Sequence, residues 1–148
     1  LKVGSVLVPV TGDPNDEDMV RLACELLESS RSRVHILYVI EVERSVPVDS
    51  EVAPEAAKGE QVLKDMEQVA RNYKCQMVAE LVQARTAGAA VVHQAVDKGV
   101  EAIVLGTSHL ERFGAYALTE PIPYILKNAP CRVLISRSAP VKVQAGRP

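Results

Sequence analysis

The chain has 148 residues with a formal charge of -2, a length that suits one domain burying roughly 70% of the surface its unfolded form would expose. A composition 47% hydrophobic but only 3% aromatic fits a parallel sheet of β-branched strands covered by alanine-rich helices, with no need of a disulfide or a structural metal. The near-neutral charge excludes a nucleic-acid footprint, and the apolar runs are strand-length, so none spans a membrane and no signal-peptide pattern is visible.

In chain order, Val3 to Val10 reads as a first strand whose continuous apolar character predicts burial on both faces. It stops at Thr11-Gly12-Asp13-Pro14. Asp13 is the expected helix cap, with Pro14 at the first helical position and Asp16, Glu17 and Asp18 in the first turn, where negative charge complements the helix dipole. Met19, Val20, Leu22, Ala23, Leu26 and Leu27 form the apolar face of that helix, predicted to run to Ser29. Arg33 to Glu41 is the second strand, with His35 read as a packed strand residue because no metal-ligand partner is spaced near it. Val42 to Ala53 has no helical period and is read as a loop long enough to be a lid or contact surface, its Glu43 to Pro54 portion of unassigned role.

A helix from Pro54 to Tyr73 follows, striped by Val62, Leu63, Met66, Val69, Ala70 and Tyr73, a pattern of core packing. Gln76 to Gln83 is the third strand, placed near a sheet edge by Glu80. Thr86 caps a third helix, Ala87 to Lys98, which Gly99 stops. The fourth strand, Ala102 to Leu105, enters the glycine turn Gly106-Thr107-Ser108, followed by a surface loop. Glu120 is the expected cap of a fourth helix ending near Asn128, with Pro121 and Pro123 at its first and third positions. Arg132 to Ile135 is the fifth strand. The segment 137–148 has no period and is predicted to be a disordered tail after a domain spanning 1–136. Strict strand–helix alternation gives an α/β fold, a doubly wound parallel sheet of five strands, Rossmann-like, with helices on both faces.

The ending NAPCRVLIS, together with Gly106, resembles the universal stress protein family. That resemblance covers Gly4 to Ser136 and implies strand order 3-2-1-4-5, which sets the ends of the first and fourth strands side by side at the switch point where such sheets bind ligands. Nucleotide-binding members carry a phosphate pattern of glycine, two residues, glycine, nine residues, glycine and serine or threonine. Aligned without gaps, its positions fall on Gly106, His109, Thr119 and Glu120, so one of four is kept. Those members also have an aspartate just after the first strand, where this chain has Thr11 within Val10-Thr11-Gly12-Asp13. His109 narrows the approach to the backbone, Glu120 sets a carboxylate near where phosphate oxygens would lie, and Pro121 and Pro123 lack the N–H groups that an anion would use.

The resemblance therefore implies a non-catalytic regulatory or ligand-sensing module with no tightly bound ATP and no cofactor. The candidate pocket comprises Val10, Thr11, Gly12, Ile40, Gly106, Thr107, Ser108, His109, Thr119 and Glu120. The alternative is a nucleotide switch that takes ATP with magnesium, AMP or a cyclic dinucleotide and has slow ATPase or autophosphorylation activity, holding phosphate with Gly106, Thr107 and Ser108. His109 and Glu120 could form a proton-transfer pair or half a metal site, but no third ligand or nucleophile is evident and a solvated polar loop is the preferred reading. Phe113 and Tyr116 are candidates for a partner contact or for docking the loop onto the body. The receiver reading fails for want of an aspartate ending the third strand and a lysine ending the fifth, and the nucleotidyltransferase reading for want of an H-x-G-H motif.

The family commonly dimerises through the last strand, so Arg132, Val133, Leu134 and Ile135 are the expected homodimer edge. The stretch YVIEVERSVPVDSEV resembles universal stress domains fused to the cytoplasmic C-terminus of amino-acid permease-type transporters. With Leu1 opening the chain, that resemblance implies an excised domain and an attached membrane transporter. Cys24, Cys75 and Cys131, scattered and odd in number, fit a reducing, cytoplasmic setting, with Cys24 and Cys131 read as small core residues.

Overall fold

The computed structural model describes residues 1–107, 111, 112, 115, 116 and 118–139. Its elements are β1 (Ser5–Val10), α1 (Asp16–Leu26), β2 (Arg33–Glu41), α2 (Ala53–Asn72), β3 (Gln76–Ala84), α3 (Ala87–Lys98), β4 (Ala102–Thr107), β5 (Glu111–Arg112), β6 (Ala115–Tyr116), α4 (Ile122–Asn128) and β7 (Arg132–Arg137). Five of the strands form one parallel sheet in the order β3-β2-β1-β4-β7, the order that the family resemblance implies. Within the segment read as a surface loop, β5 and β6 pair antiparallel as a separate two-stranded ribbon.

Period-two alternation divides the core. Val6, Val8 and Val10 of β1, Val34, Ile36, Tyr38 and Ile40 of β2, and Ala102 and Val104 of β4 pack on one face with α1 and α2. Leu7, Leu37, Ile103 and Leu105 point to the other face and pack with α3 and α4. Burial of both faces explains why the strands read as continuous apolar runs.

Several boundaries differ from the sequence reading. β1 begins at Ser5, and Val3 forms only an isolated bridge to Leu27. The capping residue of α1 is Asn15 rather than Asp13, whose Oδ1 accepts from the Asn15 N–H at 2.8 Å, and the helix stops at Leu26, three residues short of Ser29. Pro121 rather than Glu120 caps α4, after a cis Glu120–Pro121 peptide. β7 runs through Arg137, and the Ser138 N–H donates to the Thr107 carbonyl at 2.9 Å. Residues 140–148 of the predicted tail lie outside the described residues.

β1 and β2 are in register along all of β1, from Ser5–Arg33 to Val10–Tyr38. β1 and β4 pair only at Val6–Ala102 and Leu7–Ile103. Beyond Leu7 and Ile103 the two central strands part, and a crevice opens where their helices depart to opposite faces.

Candidate functional site

The crevice is a cavity of about 230 Å³ lined by the ends of β1 and β4, the start of α1 and the approach to α4. Its volume falls below the roughly 300–1,000 Å³ usual for small-molecule pockets. Thr11, Gly106, Thr107, Thr119 and Glu120 of the expected pocket do line it or its rim, joined by Asp13, Asn15, Asp16 and Met19. Val10 and Ile40 are buried in the α1–α2 core, at 2% and 4% exposure. Gly12 faces α2, where an added Cβ would meet Val62 and Lys58, and its φ of +91° favours glycine. Ser108 and His109 lie outside the described residues, as do the side chains of Phe113 and Tyr116.

Asp16 decides the chemistry of this turn. Its carboxylate accepts the Gly12 N–H at 2.8 Å and the Thr11 N–H at 3.2 Å, so the backbone donors at the end of β1 already hold an anion, the chain's own. Burial pushes the Asp16 carboxyl above its ordinary range, the Gly12 and Thr11 N–H groups pull the other way, and the nearby Asp13 carboxylate adds to the rise. The sequence placed Asp16 in the first turn of α1 as a dipole partner; it lies there, and its side chain also turns back to satisfy the preceding loop.

Gly106 is spent on packing. A Cβ there would lie 2.5 Å from Asn15 Nδ2 and 2.8 Å from Met19 Cγ, so the missing side chain admits the Asn15 and Met19 side chains against β4, while Gly106 itself stays exposed at the crevice. No lysine or arginine lines the crevice among the described residues; its ionisable side chains are Asp13, Asp16 and Glu120.

A second cavity, about 400 Å³, lies on the far side of Glu120 and Pro121, between the starts of α3 and α4 and the end of β2. Its lining includes Glu41, Thr86, Gly88 and Tyr124. Glu41 Oε2 accepts the Ala87 N–H at 2.8 Å and so caps α3, the task that Thr86 was expected to do and does not. An added Cβ on Gly88 would lie 2.9 Å from Tyr124 Cδ1, so α3 and α4 touch through that glycine. The signal for this cavity in the sequence was an acid ending one strand and a glycine opening a helix, both too common to stand out.

The predicted lid is tied down. Arg85 Nη1 donates to the carbonyls of Glu43 and Val46, the latter at 2.7 Å, and Gln83 Nε2 donates to those of Val48 and Ser50 at 2.8 and 2.9 Å. His35 sits on the α3 face of β2 beside Glu80 and Lys98, and Lys98 pairs with Glu80. Among the described residues its buried Nδ1 has no hydrogen-bond partner. No group of three or more metal-ligating side chains exists among the described residues.

The family model described as "Universal stress protein family" matches residues 2–137. The chain belongs to the universal stress protein family. Its fold agrees with solved family structures at low identity. A universal stress protein from Burkholderia pseudomallei is 18% identical with a TM-score of 0.69, over 90% of this chain and 96% of that one. A universal stress protein from Archaeoglobus fulgidus in complex with dAMP is 14% identical with a TM-score of 0.70, over 91% and 98%. A universal stress protein solved in complex with cAMP is 15% identical with a TM-score of 0.69, over 94% of this chain and 100% of that one. No curated protein matches the chain.

Proposed function

We propose that this universal stress protein domain is a non-catalytic regulatory module whose switch-point crevice does not hold ATP tightly. The observation that carries the reading is the acidic lining of the crevice, Asp13, Asp16 and Glu120 with no lysine or arginine lining it among the described residues. The Thr11 and Gly12 N–H groups are already taken by the Asp16 carboxylate, so a polyphosphate would enter a negative site with those donors engaged. Asp13 and Glu120 add repulsion: two like charges about 4 Å apart cost about 1 kcal/mol in bulk water and several times more near a protein surface. The module acts as a homodimer through Arg132, Val133, Leu134 and Ile135, a reading supported by the place of β7 at the end of the sheet. It works in the cytoplasm, attached to an amino-acid permease-type transporter; what supports this is the resemblance of residues 38–52. The native reading frame upstream of Leu1 tests the attachment, and a frame without membrane spans ends that idea. No helix among the described residues is long and apolar enough to cross a membrane.

A second reading, an adenine-nucleotide switch in the same crevice, is favoured by the relatives solved with dAMP and cAMP. Thermal unfolding with ATP and magnesium, ADP, AMP and cyclic dinucleotides at millimolar concentration separates the two. A ligand at 100 times its dissociation constant stabilises by about 2.7 kcal/mol, a rise of roughly 5 to 10 °C for a domain of this size. No shift with ATP is the expected result. A shift of that size with ATP replaces the first reading by the second.

A further inference from the structure

Cys24 and Cys75 are far apart in sequence, yet the fold brings them together. Cys24 lies in the last turn of α1, and Cys75 directly precedes β3. Both pack against the same core cluster and both line one solvent-open cavity of about 220 Å³, rimmed by Ser29, Ser32, Tyr73 and Lys74. This cavity is at the N-terminal edge of the sheet, opposite the switch-point crevice. Both thiols are free and partly exposed. Their side chains share that one small cavity, and the Cys75 thiol donates to the Gln76 carbonyl at 3.6 Å.

We propose that Cys24 and Cys75 form a reversible disulfide site that reacts with hydroperoxides, with Cys75 the attacking thiol and Cys24 the resolving one. Cys24 sits in the last turn of α1, where the negative end of the helix dipole opposes a thiolate, whereas Cys75 lies just before β3 and outside any helix. Donation from the Cys24 thiol lowers the Cys75 pKa, outweighing burial; the same contact, then burial and the Glu25 carboxylate, raise that of Cys24. Cys131 lies apart, against the other core face, and burial raises its pKa, which makes it an internal control.

The steps balance. The Cys75 thiolate attacks the distal peroxide oxygen, the O–O bond breaks, and the departing alkoxide or hydroxide takes a proton from water, leaving a sulfenic acid on Cys75. Cys24 sulfur then attacks Cys75 sulfur, the S–O bond breaks, and the leaving hydroxide departs as water with the Cys24 proton. Two thiols lose two electrons and one peroxide gains them. A dithiol reductant reverses the bond.

The test exposes the whole chain to hydrogen peroxide, then digests it without reductant and reads linked peptides by mass spectrometry. The expected product is an intramolecular 24–75 link that dithiothreitol removes. In the unoxidised protein at pH 7, iodoacetamide should label Cys75 at least about three times faster than Cys131. In Cys24→Ser, a dimedone adduct should persist at Cys75; in Cys75→Ser, Cys24 should stay unmodified. Oxidation that links two chains, that stops at Cys131, or that marks Cys24 first overturns the proposal. If Cys24→Ser does not fold, the labelling order and linked peptide in the unsubstituted chain decide it alone.

Discussion

At the scale of single residues, Asp16 shows how a chain's own carboxylate can satisfy the backbone donors at a strand end. Asp16→Ala leaves the Thr11 and Gly12 N–H groups without an acceptor and should cost about 1 to 3 kcal/mol in urea unfolding. Millimolar inorganic phosphate should restore part of that loss by taking the vacated donors, while leaving the unsubstituted chain unchanged. Equal stabilisation of both proteins would show that Asp16 does not exclude anions. The direction of its titration gives a second check. Because the folded carboxyl sits above its ordinary value of 3.8, its contribution is full below that pH and lost as pH rises through the folded value. Asp16→Asn, which keeps one acceptor and cannot ionise, should therefore gain on the unsubstituted chain as pH rises from 3 to 7. His35 has the opposite sign. Burial first, then Lys98 and Arg33, depress its pKa against the pull of Glu80, so its contribution is present above about 6.5 and lost as pH falls through the folded value. In His35→Leu the loss of melting temperature between pH 7.5 and 5 should shrink; an unchanged loss would assign the acid limb to other groups.

At the scale of elements, the segment between β2 and α2 was legible as a loop but not as a braced one. Its composition, with Pro47 and no period, marks irregular backbone, whereas the brace comes from Gln83 and Arg85, some forty positions later, which parallel pairing of β2 with β3 sets alongside. Arg85→Ala should speed exchange of the Val46 and Ser50 amides, which close turns inside the loop, by roughly tenfold, equivalent to about 1.4 kcal/mol of local stability. Unchanged exchange would mean the turns hold the loop without Arg85. The same kind of long-range juxtaposition hid the α3 cap on Glu41 and the cavity that Cys24 and Cys75 share. Gly106 was found by its position but its use was not, because a glycine at a strand end serves close approach of an anion and close approach of Asn15 and Met19 equally well. The sheet strands and the helices were readable because each buries a face at its own period; their ends shifted, where side chains such as Asp13 and Asp16 bond to the loop rather than to the helix, and β5 and β6, too short to show a period, were read as loop.

At the scale of the whole molecule, the sheet has two ends and only one is visibly guarded. β3 carries Glu80, which Lys98 of α3 neutralises, and Gln76 and Gln83, whose side chains bond to neighbouring backbone. Among the described residues β7 has no strand beyond it in the sheet, and Val133, Leu134 and Ile135 are half-buried, with Leu134 turned to one core face and Val133 and Ile135 to the other. Such an edge is open to pairing with a second copy, and Tyr124 and Leu126 of α4, 40% and 48% exposed, offer apolar surface on the element just before it. Sedimentation equilibrium at micromolar concentration should therefore give twice the 16.0 kDa chain mass. Ile135→Lys, which sets a charge on the edge, should weaken association at least tenfold, about 1.4 kcal/mol, while far-UV circular dichroism stays that of the folded chain. A monomeric mass for the unsubstituted chain would remove the dimer from the proposed function. A dimer unaffected by Ile135→Lys would move the contact away from β7, with the exposed face of α4 the next surface to substitute.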